Sequence, residues 1–128
     1  MKYAATDIKT HYGLLRDKGD FDVARAGWIG DYSDPQNFLF LGESNNKGLN
    51  YATWKNADFD ALMAKAAATV DLKARAALLL EADKLFNADE PYLTLLTYGS
   101  KNLVSKKISG WEPNTLDRHL ARYLSVAN

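Results

Sequence analysis

The chain has 128 residues and a mass of 14.3 kDa, one domain's worth at most, with 47% hydrophobic and 25% charged residues, which excludes a disordered tail, a fibre and a coiled coil. Lys+Arg and Asp+Glu each number 16, so the net charge is zero and nothing in the charge balance points to nucleic acid or to an anionic membrane. Cysteine is absent, which excludes disulfides, thiolate metal sites and a cysteine nucleophile. In chain order, Ile8, Tyr12 and Leu15 recur at helical spacing behind Thr6 or Asp7, either a suitable N-cap, with Gly19 as the expected stop. Phe21 to Ile29, FDVARAGWI, carries β-branched and aromatic residues and reads as a strand in which Gly27 permits close backbone approach. Gly30 to Asp34 is a loop. Asp34-Pro35 is a helix start, a cap followed by a proline at the first helical position, leading into the apolar run Phe38 to Leu41.

Gly42 to Asn50, GESNNKGLN, is the most polar stretch and reads as an exposed loop. Phe59, Leu62, Met63, Ala66, Ala67 and Val70 then fall on one helical stripe. Asp71 is expected to cap a second helix whose Leu78, Leu79, Ala82, Leu85 and Phe86 face inward, and Glu90-Pro91 to end it. Tyr92 to Tyr98 reads as a strand, Lys101 to Trp111 as short strands or turns, and Leu116 to Leu124 as helical or extended. Helices and strands mix without a repeat or a low-complexity linker, so residues 1–128 read as a single α/β segment. No apolar run reaches the roughly 20 residues of a membrane span, and the opening MKYAATDIKTHYG lacks the basic-then-apolar order of an export signal.

Few motifs carry chemistry. His11 and His119 are the only imidazoles and lie far apart, with no HExxH and no clustered carboxylates, so neither a metal site nor a cofactor is expected. No phosphate-cradling glycine loop and no GxSxG elbow is present. Asp31 and Asp34 are close enough to form an acid–base pair, but a helix cap at Asp34 and a loop charge at Asp31 account for both. A small hydrolase built on Asp31 and a distant carboxylate is supported by residue type alone, and the chain reads as a binder and not an enzyme. The informative block is ARAGWIGDY, which sets a cation, a glycine, a large aromatic and an anion in one strand-to-loop stretch. Glycine beside tryptophan lets another backbone approach a strand edge while the ring walls a pocket. An aspartate just beyond pairs with an ammonium, and an arginine with a carboxylate. The alternative makes Trp28 a core residue, Arg25 a solvated partner of Asp22 and Asp31 a turn residue.

The block has company. FDVARAGWIGDYSDPQNFL, the Asn-rich loop, NYATWKNADFDALMAKA, DLKARAALLLEADKLFNADEP and YLTLLTYGSKNLVSKKISGW follow one another in an order that resembles the oligopeptide- and dipeptide-binding proteins of ABC importers, family 5 of the extracellular solute-binding proteins. The resemblance runs from about Asp20 to Tyr123 and is most specific in the FDVARAGW block. It implies a periplasmic, two-lobed α/β binding protein of type II-like architecture, of which this chain is part of the C-terminal lobe, a mixed sheet flanked by helices. Met1 opening directly on helix-like sequence then reads as the start of a truncated or split chain. By the same resemblance Asp31 pairs with the ammonium of a peptide ligand, Gly27, Trp28 and Ile29 offer backbone hydrogen bonds, and Trp28 lines a side-chain pocket. Arg25 and Arg16 match positions that meet carboxylates, and Asn50 matches a cleft position, although Leu49 stands where a second Asn is often found. The implied partners are a peptide and, for the full protein, an ABC permease in the inner membrane. Members specific for sugars or nickel complexes, and a fragment unable to bind, are the alternatives. Exposed strand edges also imply self-association of a fragment.

Overall fold

The computed structural model describes residues 2–17 and 21–127, which form a mixed α/β arrangement of helices and one small sheet. Helix α1, Ile8–Arg16, begins at Asp7, whose carboxylate accepts from the Lys9 and Thr10 backbone N–H groups at 3.0 and 3.1 Å and from the Thr10 hydroxyl at 2.6 Å. These bonds, the hydroxyl's foremost, hold the Asp7 carboxyl below its usual range. Leu15 is the buried residue of α1. The expected stop at Gly19 lies outside the described residues.

The body of the fold is a helical hairpin. Helix α3, Ala57–Ala68, is capped by Asn56, whose side-chain oxygen accepts from the N–H groups of Asp58 and Phe59, and Asp58 and Asp60 place negative charge on its first turn. Helix α4, Leu72–Asp89, is capped by Asp71, which accepts from Ala74 N–H at 2.7 Å. It ends as expected, for Glu90 turns to φ +47° and Pro91 cannot continue a helix. The two stripes meet, and Phe59, Met63 and Ala66 pack with Leu79, Ala82 and Leu39 inside a shell of Trp54, Leu62, Leu78, Leu85 and Phe86. Phe59 is completely buried and meets Trp54 edge to face at 4.9 Å. Ala67 and Val70, expected on the same stripe, are exposed; α3 stops at Ala68, before Val70 can return to the core side.

Asp34-Pro35 does start a helix, though a short one in which Pro35 stands at the N-cap and Gln36, not the proline, is the first helical residue: α2, Gln36–Leu39, passes directly into a 3-10 turn over Phe40–Gly42. Asp34 accepts from Gln36 N–H at 2.8 Å, and its two oxygens take the Arg75 guanidinium of α4 at 2.6 and 3.0 Å. This two-pronged pair fastens α2 across α4. The guanidinium holds the Asp34 carboxyl below its usual range, and the carboxylate raises Arg75 in turn.

Two sequence expectations need correction. The 42–50 stretch is not an exposed loop throughout, because Gly42 and Asn50 are buried and its polar side chains bond its own backbone. Asn46 donates to Phe40 O at 3.0 Å and accepts from Leu49 N–H at 3.2 Å, while Asn50 donates to Trp54 O at 2.8 Å. Gly42 is required there, since a Cβ would lie 2.5 Å from the Phe86 ring. The stretches 21–29 and 92–98 form no strands among the described residues. A strand draws its hydrogen bonds from a neighbour, so propensity alone cannot make one, and among the described residues the two stretches share a side-chain hydrogen bond and no backbone one. Apart from the half-buried Trp28 and Tyr92, their large apolar residues stay exposed, Ile29 by 81% and Leu95 by 83%. The sheet that does form pairs β1, Ile108–Ser109, antiparallel with β2, Ser125–Val126. Gly110 follows at φ +81°, where a Cβ would fall 1.9 Å from Tyr123 O.

Phe59→Ala is expected to cost about 3–5 kcal/mol in a denaturant melt; a loss below about 1 kcal/mol would show that the hairpin core does not carry the fold. Arg75→Met keeps the aliphatic stem and removes the charge from Asp34. A carboxylate held below its usual range adds stability at neutral pH that is lost as acid protonates it. The variant is therefore expected to melt lower than wild type at neutral pH, the gap closing as the pH falls through the carboxylate range; a pH-independent gap would contradict this.

Candidate functional site

The ARAGWIGDY block is an irregular segment laid against α2, and most of the residues singled out in the sequence stand together on it. Trp28 is half-buried, meeting Phe40 edge to face at 5.3 Å, and its indole Nε1–H donates to Asn37 Oδ1 at 3.0 Å. The same oxygen accepts from the Asp31 backbone N–H at 2.9 Å. The Asp31 carboxylate stays exposed, while its carbonyl accepts from the Arg118 guanidinium at 3.5 Å. Gly27 and Ile29 are exposed, and among the described residues no hydrogen bond takes up the backbone groups of Gly27, Trp28 or Ile29.

Arg25 donates to the Tyr98 hydroxyl at 3.1 Å, and its carbonyl accepts from His11 Nε2 of α1 at 2.7 Å. The expected alternative partner, Asp22, makes no ion pair with it among the described residues. Gly27 lies beside the same Tyr98 ring. α1 is therefore hooked to the block through His11, and Arg16 ends that helix as an exposed cation in its last turn. Among the described residues no hydrogen bond or ion pair joins Arg16 to the block. Asn50 stands apart, its amide donating to the carbonyls of Gly42, Glu43 and Trp54, so that its described bonds staple the 42–54 loop.

Three neighbours of the block escaped sequence reading: Asn37, Tyr98 and Arg118. An Asn in a helix's first turn, a Tyr in an apolar run and an Arg near the C-terminus are each ordinary, and their partners lie 6 to 87 residues away. On the other side of the loop, Tyr92 accepts from Tyr51 N–H at 2.9 Å, donates to Leu49 O at 3.1 Å, and its burial raises the phenol above its usual range. A surface groove of about 680 Å³ lies elsewhere, between α2 and α4, lined by Pro35, Phe38, Ala76, Leu79 and Leu80. Of its charged lining residues, Asp34 and Arg75 pair with each other and Asp83 accepts from the Asn87 amide at 3.0 Å, so its wall is mostly apolar. The 27–31 segment combines open backbone, an aromatic wall and a free carboxylate, the set that recognises an extended chain with a positive end.

No family model matches the chain. Among curated proteins it is 35% identical over 96 residues to the periplasmic oligopeptide-binding protein OppA of Escherichia coli K12, covering 75% of this chain and 18% of that one. It is 34% identical over 110 residues to the di/tripeptide-binding protein 4 of Pseudomonas aeruginosa UCBPP-PA14, covering 83% of this chain and 21% of that one. Among solved structures, the periplasmic murein tripeptide binding protein MppA in its unliganded open form superposes with a TM-score of 0.76 at 31% identity, covering 92% of this chain and 23% of that one. The chain thus spans about a fifth of the length of the curated relatives it matches. By sequence and by fold alike, the chain corresponds to a segment of the oligopeptide- and dipeptide-binding proteins, family 5 of the extracellular solute-binding proteins.

Proposed function

We propose that this chain forms one wall of a peptide-binding cleft, as part of the C-terminal lobe of a substrate-binding component of a peptide ABC importer. The observation that carries this reading is the 27–31 segment, where the Gly27, Trp28 and Ile29 backbone takes no hydrogen bond among the described residues and the same short run carries the Trp28 ring and the exposed Asp31 carboxylate. Backbone pairing along Gly27, Trp28 and Ile29 accepts a peptide whatever its side chains. The carboxylate takes the α-ammonium and fixes the register, and Trp28 walls a side-chain pocket. Arg25, steadied by Tyr98, and Arg16 at the end of α1 are the cations for a ligand carboxylate or an acidic side chain. Asn50 enters this reading as the staple of the loop beside the cleft. Binding and release need no bond chemistry, so the role is not enzymatic. The relatives' description as periplasmic supports a location outside the inner membrane, with the importer's permease as partner.

The proposed lobe also accounts for the unpaired stretches 21–29 and 92–98, as strands whose neighbours belong to other parts of a longer protein. With one wall alone, a peptide loses the burial that closure supplies, and affinity falls to about the millimolar range.

In the two-lobed protein, Asp31→Ala is expected to weaken tripeptide binding by at least about tenfold in calorimetry, since truncating one member of a buried ion pair strands the other. It should leave the weaker binding of the N-acetylated tripeptide nearly unchanged. Equal losses for both peptides, or none, would contradict the assignment. The 128-residue chain by itself is expected to self-associate with rising concentration in light scattering, through the exposed Leu93, Leu95 and Leu96 stretch; a monomer at every concentration would count against unpaired strands.

A further inference from the structure

We infer that Asn37 is a positioning residue that sets Trp28 and Asp31 in the geometry for a peptide's N-terminal end, an inference that rests on the peptide-binding reading above. Asn37 lies in the first turn of α2 and is 2% exposed. An amide oxygen has two lone pairs, and Asn37 Oδ1 accepts two N–H groups, Trp28 Nε1 at 3.0 Å and Asp31 N at 2.9 Å. These belong to the two residues assigned the side-chain pocket and the ammonium. The first bond sets the plane of the indole, which Phe40 braces edge to face at 5.3 Å. The second sets the turn after Ile29, and with it the direction in which the Asp31 carboxylate leaves the backbone.

The fit between these partners is close. A Cβ on Gly30 would lie 3.1 Å from the Phe38 ring and 3.4 Å from Asn37 Oδ1, so the glycine lets the segment settle onto the amide. Asn37 is itself held, its N–H donating to Asp34 O at 3.0 Å, and Asp34 is clamped by Arg75 of α4. A continuous path of contacts thus joins the helical hairpin to Asp31. In this reading Asn37 touches no ligand. It acts by pre-organising groups that do, so that a peptide meets a surface already in place.

Two substitutions separate positioning from mere stability. Asn37→Leu keeps the branched shape in a larger side chain, removes the acceptor and leaves two N–H groups unpaired. Asn37→Asp keeps an oxygen acceptor. The measurements are amide and indole hydrogen exchange by NMR on the full 128-residue chain, and titration of the same samples with trialanine and with N-acetyl-trialanine into the tens of millimolar. Asn37→Leu is expected to speed exchange at the Trp28 indole and the Asp31 amide by at least about tenfold while exchange in α3 and α4 stays within about threefold. It should weaken trialanine binding by about fivefold or more, with Asn37→Asp restoring both properties to within about twofold of wild type. Unchanged exchange at those two groups, or exchange that rises equally across α3 and α4, would overturn the positioning role. So would full-strength trialanine binding by the folded Asn37→Leu chain. If wild type discriminates neither peptide while the exchange result holds, the peptide reading fails and the ligand half of this inference fails with it, whereas Asn37's hold on the block stands.

Discussion

The clamp of Asp34 by Arg75 is the interaction on which the candidate site depends. α2 is only four residues long and has no helical stability of its own. It holds its place because Leu39 is sunk in the core of the helical hairpin and because Asp34 is gripped at both carboxylate oxygens from α4. The Trp28–Asp31 segment leans on α2 in turn. A short, weak element can carry a binding segment when it is fastened at one end by an ion pair and at the other by a buried leucine.

The division of labour follows from burial. The hairpin is an ordinary hydrophobic solution, with Phe59, Met63, Ala66, Leu79 and Ala82 removed from water, and two capped helices prepared for it. The rest of the chain is thinly covered, and the stretches 21–29 and 92–98 expose apolar side chains together with unpaired backbone. The same property has two consequences. In the proposed role, unpaired backbone beside Trp28 meets an incoming peptide, and unpaired backbone further along meets other strands. The clasp of β1 and β2 closes the C-terminal end, where Trp111 stacks on His119 and Asp117 bonds the imidazole at 3.0 Å.

What could be read in the sequence was what is local. The α4 stripe, the α3 stripe as far as Ala66, the Asp71 cap and the Glu90-Pro91 stop are encoded within a few residues of where they act, and they appear where expected, whereas Ala67 and Val70 do not. FDVARAGWI and the 92–98 stretch have strand propensity, but a ladder is made with a distant partner, and among the described residues none pairs with either. The polar 42–50 stretch departs from an exposed loop because Asn46 and Asn50 turn inward to bond backbone, a use that composition does not distinguish from exposure to water. At the site, the motif residues were legible as a run, whereas Asn37 was not, since its role comes from two partners, nine and six residues back along the chain, meeting at one oxygen.

The central claim is that the N-terminal end of a peptide lies between Trp28 and Asp31. Intermolecular nuclear Overhauser contacts from bound trialanine test it most directly. The account predicts contacts from the first alanine to the Asp31 β-protons and the Trp28 ring, with later residues running along Gly27. Contacts confined instead to Phe38 and Leu80 in the α2–α4 groove, or a peptide bound in the reverse direction, would contradict it.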